Sequence, residues 1–583
     1  MKTTSLSLFL STFLLLLFKI STAQTSAVLN INNVRATVDA NFLFHDFANS
    51  LPSFESPVGS GSHTIYEASL WLAGKDQSGT TKTNVNTYFN SNQQIAGPIM
   101  TSSLYTAEGT NWNKVWKIQC QEIQQFVAWY DCNLNPSCDA SVDFPGYQIP
   151  ASILTWPAHG DISKGQAYNL APFFDRNGDN LYDPNTGDYP LVKGDEAIFF
   201  IYNDERPFYD GNDNHSPMKT EVHGMAYAFA TSDVEINNTI FLNYKIYNRS
   251  TTNYNDCFTG FWSDFDLGNY SDDFLGSDVS RSSFYVYNGD SFDDNNGGIG
   301  YGSNLPAQGV TFLKGPKQNN NGQDDAFGIG FNESINGIGF GDGIVDNEYW
   351  GLESFLRHDW SSPNLGAPVT EEHFYNYLSG KMLNGNPLSY YSTGVDCKYY
   401  YPGSSDIFNY GTNGTPQSPW SEAGVGNAPG DRVGVGSSGP FTLPSGGSIE
   451  IDLALIFGQD FTGSGPSGGV TAMQEAIDTV RSQYSRGITS NCASVVITSI
   501  NDNLEESSLV IYPNPFNNAF TINYELENST ALLEVYNVIG EQIQTQTITQ
   551  NSTIVNLSNQ PNGFYFVTIT DGTNRISKKI VKQ

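Results

Sequence analysis

Residues 175–190 read DRNGDNLYDPNTGDYP, and their oxygen-bearing side chains fall at a spacing that a metal ion can use. Asp175, Asn177, Asp179 and Asp183 occupy alternating places, with Leu181 offering its backbone carbonyl between the last two. This is the ligand pattern of a calcium loop, which wraps a hard cation in roughly six to eight oxygens. Two positions depart from it. Asn180 stands where glycine makes the sharp turn, and Thr186 where a bidentate acid closes the shell. Asparagine tolerates the left-handed backbone better than other non-glycine residues. Asp188 supplies the missing carboxylate if the turn at 184–187 bulges. The expectation is a structural calcium ion held by Asp175, Asn177, Asp179, Leu181, Asp183 and Asp188. One rival is a solvated loop whose aspartates cap their own turns. Another is a catalytic ion, weakened because no histidine stands nearby in sequence and catalytic sites combine histidine with carboxylates around an open position.

Other chemistry is thinner. Asp264, Asp266, Asp272 and Asp273 cluster in SDFDLGNYSDD, and Asp342, Asp346 and Glu348 in GDGIVDNE. Each group offers a further cation site, although most such clusters are turns. Glu221 and His223 share one face of a strand pattern, and His358 precedes Asp359. A lone histidine beside an acid is more often a structural hydrogen-bond partner than a catalyst. The chain has no HExxH, no GxSxG elbow, no Walker loop and no dinucleotide fingerprint. Among 60 acidic residues, a glycosidase pair would meet only in the fold. No catalytic residue is legible, and whether the protein is an enzyme stays open at this level.

The elements that must position these groups are mostly strands. In 237–250, Ile240, Leu242, Tyr244 and Ile246 alternate with Phe241, Asn243, Lys245 and Tyr247. In 448–458, Ile449, Ile451, Leu453 and Leu455 line one side. A period of two with one apolar face is a half-buried strand. With 56 glycines and 27 prolines punctuating the chain, the pattern predicts an all-β protein: an antiparallel β-sandwich body with few helices. The main helical candidate is 469–487, where Met473, Ala476, Ile477, Val480 and Tyr484 share a face and Gly487 ends the run.

A length of 583 residues exceeds one ordinary core, so several domains are expected. Acidic residues outnumber basic ones 60 to 27, a net charge of −33 that repels nucleic acid and anionic lipid and attracts cations. The six cysteines form no CxxC pair and none of the seven histidines stands at the spacing a zinc site wants. The cysteines read as structural, with Cys132 and Cys138 the best local disulfide pair and the wider pairing open.

The N-terminus has the form of an export signal: Lys2, an apolar run over 6–18, then small residues at 21–23. The run is too short to span a bilayer and Lys19 interrupts it, so no transmembrane segment is expected. A signal peptide at 1–23 then precedes a body at 24–498, in one or two subdomains, that carries the loop at 175–188. A polar connector at 499–507 leads to a compact module at 508–583. That module holds four basic and five acidic residues (4 − 5 = −1), so the excess acid lies upstream. Alternation of Phe520, Ile522 and Tyr524, and of Tyr565, Val567 and Ile569, predicts a small Ig-like β-sandwich.

Within the module, Tyr512-Pro513-Asn514-Pro515, the VYNVIG turn ending at Gly540, the strand start at Gly563, and Lys578, Lys579 and Lys582 resemble the type A C-terminal sorting domain of Bacteroidota type IX secretion cargo. The resemblance implies export in two stages, the type IX machinery as partner, a receptor that reads a folded module with an exposed basic end, and an address at the outer cell surface or beyond. Pro513 and Pro515 would stiffen the start of the module, since neither can donate to a ladder. ASLWLAGKD, IPASILTWPAHGD, DGIVDNE, SGPFTLPSG and the aspartate loop resemble segments of large uncharacterised cargo proteins of the same group, which informs architecture more than activity. The functional expectation is a secreted or cell-surface, calcium-stabilised adhesion or binding protein for glycan or matrix. The alternative is a secreted hydrolase acting on polysaccharide or protein.

Overall fold

The computed structural model describes residues 25–582 apart from 47–48, 50, 88–90, 206–216, 360–361, 489–491, 493–508, 515, 525–529, 538–541, 562 and 572–573. The signal peptide expected at 1–23, the connector at 499–507, and Pro515 and Gly540 lie outside the described residues. The chain forms two compact units, one ending at Cys492 and the other beginning at Ala493.

Two large antiparallel sheets build the first unit. The first runs in the order Ser26–Leu29, Arg35–Asp39, Phe54–Glu55, His63–Lys75, Tyr254–Phe265, Arg432–Leu443 and Ser354–Arg357. The second runs Ile95–Ala96, Glu196–Asn203, Thr220–Ala228, Thr239–Asn248, Ser448–Gln459, Pro306–Lys314, Ser283–Asn288 and Asp273–Asp278. Neighbours in the sheets are distant in sequence: Leu242 pairs with Leu453 and Tyr244 with Ile451. That register places the apolar faces of both strand patterns on one side, where Ile240, Leu242, Tyr244, Ile451, Leu453 and Leu455 are all buried. They share one hydrophobic core with Leu70, Leu72, Phe261 and Phe265 of the first sheet. Burial of this kind contributes roughly 1.5–3 kcal/mol per large side chain.

The outer face of the first sheet is also covered. Trp71 stacks on Trp262 at 5.9 Å, and Phe374 of the helix Glu371–Leu378 meets Trp71 edge-on at 5.0 Å. The expected helix at 469–487 is present as Pro466–Ser485, with Met473, Ala476, Ile477 and Val480 buried, and Gly487 takes a positive φ just beyond it. A second long helix, Cys120–Leu134, has no counterpart in the sequence reading. Glu122 in its first turn accepts the backbone N–H of Gln119 at 3.0 Å, which satisfies an otherwise orphaned donor.

Cys132 pairs with Cys138 as expected. Cys120 pairs with Cys492, a link across 372 residues that spacing alone does not reveal. Cys257 and Cys397 are buried free thiols, each pushed up to about 12 by burial.

The second unit has two small sheets: Leu509–Tyr512, Ala519–Tyr524 and Ser552–Asn556, then Gln542–Ile548, Ala531–Asn537, Gly563–Asp571 and Asn574–Lys582. Phe520, Ile522, Leu533, Val535, Val567, Ile569 and Ile580 form its core. The final strand is locked to the module's opening segment: Asn514 accepts the backbone N–H of Val581 at 2.9 Å, and Phe516 bridges to Lys582.

Candidate functional site

The aspartate loop hangs between the short strand pair Phe173–Phe174 and Tyr189–Pro190, which pair antiparallel and hold its two ends together. Inside it, each acid organises backbone. Asp175 accepts the N–H of Gly178 through Oδ1 (2.8 Å) and of Asn180 through Oδ2 (2.7 Å). Asn177 accepts from Asp179, and Asp179 from Leu181. Asn180 has φ 59°, the left-handed turn that its position requires. The 184–187 segment forms a 3-10 turn closed by Gly187 at φ 97°, and this brings Asp188 back into the loop. Asp188 is fully buried and accepts the N–H of Arg176 and of Asp183, both at 2.9 Å. Leu181 presents an exposed side chain.

Tertiary structure adds neighbours that the sequence conceals. His159 accepts the N–H of Tyr182 through Nε2 at 3.1 Å while stacking on Tyr168 at 4.2 Å. Arg176 reaches the long helix, pairing with Asp131 at 2.8 Å and lying over the ring of Tyr130.

The loop borders a cleft of about 570 Å³ on the outer face of the second sheet. Asp175, Asn180 and Phe173 form one wall; His223, Lys245, Tyr247 and Glu450 project from three adjacent strands as its floor, with Lys193 beside them. Direct pairing of His223 with Lys245 explains the convergence, because opposed residues of an antiparallel pair point to the same face. His223 is held from behind: its Nε2 is 3.0 Å from Glu221, which also takes Arg249 at 2.6 Å. Burial pushes the Glu221 carboxyl up, but the hydrogen bonds and charges of His223 and Arg249 outweigh it and bring the group below its ordinary range. Lys245 lies 5.3 Å over the Tyr247 ring. Glu450 is engaged by Asn243 (2.9 Å) and Lys314 (3.3 Å).

A second groove, about 470 Å³, lies between exposed Ile329 and Phe331 and the buried Glu353. Tyr410 donates a short hydrogen bond to Glu353, and Lys398 is 3.6 Å away. Burial raises the Glu353 pKa in spite of that ammonium.

The sequence cluster at 264–273 divides in the fold. Asp272 and Asp273 join Asp293, which raises the Asp272 carboxyl to about 7 after burial has done most of the work. Asp264 and Asp266 meet Asp431, and one oxygen of each lies within 4.8 Å of the others, so this triad can hold a metal ion. Asp431 has no neighbouring acid in sequence, and only the register of the central strands reveals it. Asp342, Asp346 and Glu348 spend themselves on nearby N–H groups of Ile344, Asn321 and Asp325. His358 is buried against Trp71 and Tyr377, and its environment pushes it down to about 3.

In the second unit, Tyr512 is half exposed, while Gly563 pairs with Lys582 and Lys579 with Phe566 between the last two strands of one sheet. The expectation of an exposed basic end is corrected at Lys582, which is buried and donates to the carbonyl of Gln560, while Lys578 donates to that of Leu509 at 3.0 Å.

The body and the small terminal module are both β-rich. Residues 510–583 match the family described as secretion system C-terminal sorting domain. The terminal module is therefore a type IX sorting domain, the secretion machinery is its partner, and the protein is secreted or carried on the cell surface. No curated protein matches the chain. Among solved structures, a polysaccharide lyase aligns at 8% identity and a TM-score of 0.17, over 72% of this chain and 43% of its own length. The chain thus spans less than half of that protein. No helix among the described residues is long and apolar enough to cross a membrane.

Proposed function

We propose that the sorting domain delivers the body to the cell exterior, where it binds an acidic glycan in the cleft beside the 175–188 loop, and that calcium in this loop stabilises the cleft wall. The cleft carries this reading. Its volume of about 570 Å³ suits a few sugar units, and it sets Phe173, Phe199 and Tyr247 beside Lys193, His223 and Lys245. On a chain of net charge −33, a recess that gathers cationic groups is where a carboxylated or sulfated ligand would settle. Both of its acids are already committed, Asp175 to two backbone N–H groups and Glu450 to Asn243 and Lys314, which favours binding over hydrolysis at this place. Support for calcium comes from the left-handed Asn180 and from Asp188 returning to the loop. A glycan array probed with the full chain tests the reading: wild type retains acidic polysaccharides, and Lys193→Ala/Lys245→Ala loses them. Retention of neutral glycans alone, or equal retention by the variant, rejects it. An unchanged melting temperature in EDTA rejects calcium.

A secreted hydrolase is the second reading, favoured by Glu353, a buried carboxyl with a raised pKa at the base of an open groove. A carboxyl whose pKa is raised in this way is the type that serves as a general acid. Turnover in a screen of polysaccharides and peptides that vanishes in Glu353→Gln supports it; a wild type without turnover removes it.

A further inference from the structure

Three central strands of the first sheet bring four carboxylates onto one face. Asp264, near the end of Tyr254–Phe265, stands directly opposite Glu67 on His63–Lys75 and opposite Val433 on Arg432–Leu443. Continued one residue past its last pair, Phe265 with Arg432, the second register sets Asp431 opposite Asp266. Like charges placed directly across a sheet repel, so this arrangement costs stability unless something compensates it. Glu67 makes the need acute. Its side chain is fully buried, and neither carboxylate oxygen has a hydrogen-bond partner among the described residues. That is the opposite of the aspartate loop, where every acid is occupied by backbone N–H groups. Arg432, the basic residue next to Asp431, turns away to Glu422 at 3.1 Å. A bulge between the Asp264 and Phe265 pairings leaves Tyr66 as the extra residue beside Glu67.

We infer that Glu67, Asp264, Asp266 and Asp431 form a binding site for a hard divalent cation, separate from the 175–188 loop. Four carboxylates with no nitrogen or sulfur among them select calcium or magnesium over softer metals. Their number favours calcium, because magnesium is held by one or two carboxylates and keeps its waters. Asp264 is buried, Asp266 half-buried and Asp431 exposed, so Asp431 marks the solvent side of the three aspartates.

Calcium titrated calorimetrically into the full chain, after chelation and removal of the chelator, tests the assignment. The wild type is expected to show a binding event that Glu67→Gln/Asp266→Asn lacks and that the loop variant Asp179→Asn/Asp183→Asn retains. Asp431→Asn, at the exposed rim where packing is undisturbed, weakens this event by about tenfold. In chelator, Glu67→Gln melts no lower than wild type, since an amide replaces a carboxyl without partners. Titrations of Asp431→Asn and Glu67→Gln that match wild type overturn the proposal. Loss of all calcium heat in the loop variant alone overturns it while leaving calcium in the loop standing.

Discussion

Asp188 accepts the backbone N–H of Arg176 at 2.9 Å, binding the end of the aspartate loop to its beginning. The same carboxylate takes the N–H of Asp183, so one buried side chain sets both the path of the loop and the wall of the cleft.

Asp188→Ala should therefore leave two N–H groups unsatisfied beneath the surface. The expected loss is about 2–4 kcal/mol of body stability, and Asp188→Asn, which keeps one acceptor, should lose about half of that. Urea unfolding of the two variants checks the order; equal losses would mean that packing rather than acceptance matters.

Asn180, at φ 59°, tolerates glycine and resists a branched side chain. If the proposed loop ion is bound, Asn180→Gly should leave the rise in melting temperature with calcium intact, whereas Asn180→Val should cost about 1–2 kcal/mol and shrink that rise. Melting curves with calcium and with EDTA separate the two effects.

Arg249 and His223 converge on the buried Glu221, whose other oxygen accepts the N–H of Ile99 at 2.8 Å. Removing the arginine leaves an under-compensated buried charge, so Arg249→Ala should cost about 3–5 kcal/mol. Arg249→Lys should recover only part of this, because a point charge cannot reproduce the two donors that now meet one oxygen. Denaturant midpoints at constant slope provide the comparison.

His358 stays neutral in the fold because burial holds it near 3, against 6.5 when exposed. The unfolded chain therefore binds an extra proton between those values, and the stability it contributes is complete above pH ~6.5 and lost as pH falls toward 3. The loss is on the order of 3–5 kcal/mol. His358→Phe should flatten the fall measured between pH 7 and 4; an identical slope would assign the acid sensitivity elsewhere.

What the sequence made legible was local. Alternation in 237–250 and 448–458 identified both strands and their inner faces, because a period of two is written in the residues themselves. That Leu242 would meet Leu453 was not written there, since pairing across two hundred residues depends on the fold. The helix Cys120–Leu134 escaped notice because its buried side, Cys120, Ile123, Phe126 and Cys132, is narrow and its aromatic content suits strands. The aspartate loop was visible from spacing, its left-handed Asn180 included. The cleft beside it, the triad completed by Asp431 and the orphaned Glu67 were invisible, for each is assembled by register from residues far apart. The motifs of the terminal module were legible as a unit, whereas the burial of Lys582 became apparent only once the last strand was seen closing the module.

The Cys120–Cys492 bond fastens the body at the residue where the chain leaves it for the connector. If the far end is tethered at the surface while the body grips a ligand, traction enters at Cys492 and crosses the sulfur bridge to Cys120. It does not peel Pro466–Ser485 from its seat or unzip Ser448–Gln459. Under such a tether the bond would act as a strain relief, with the load passing outside those elements.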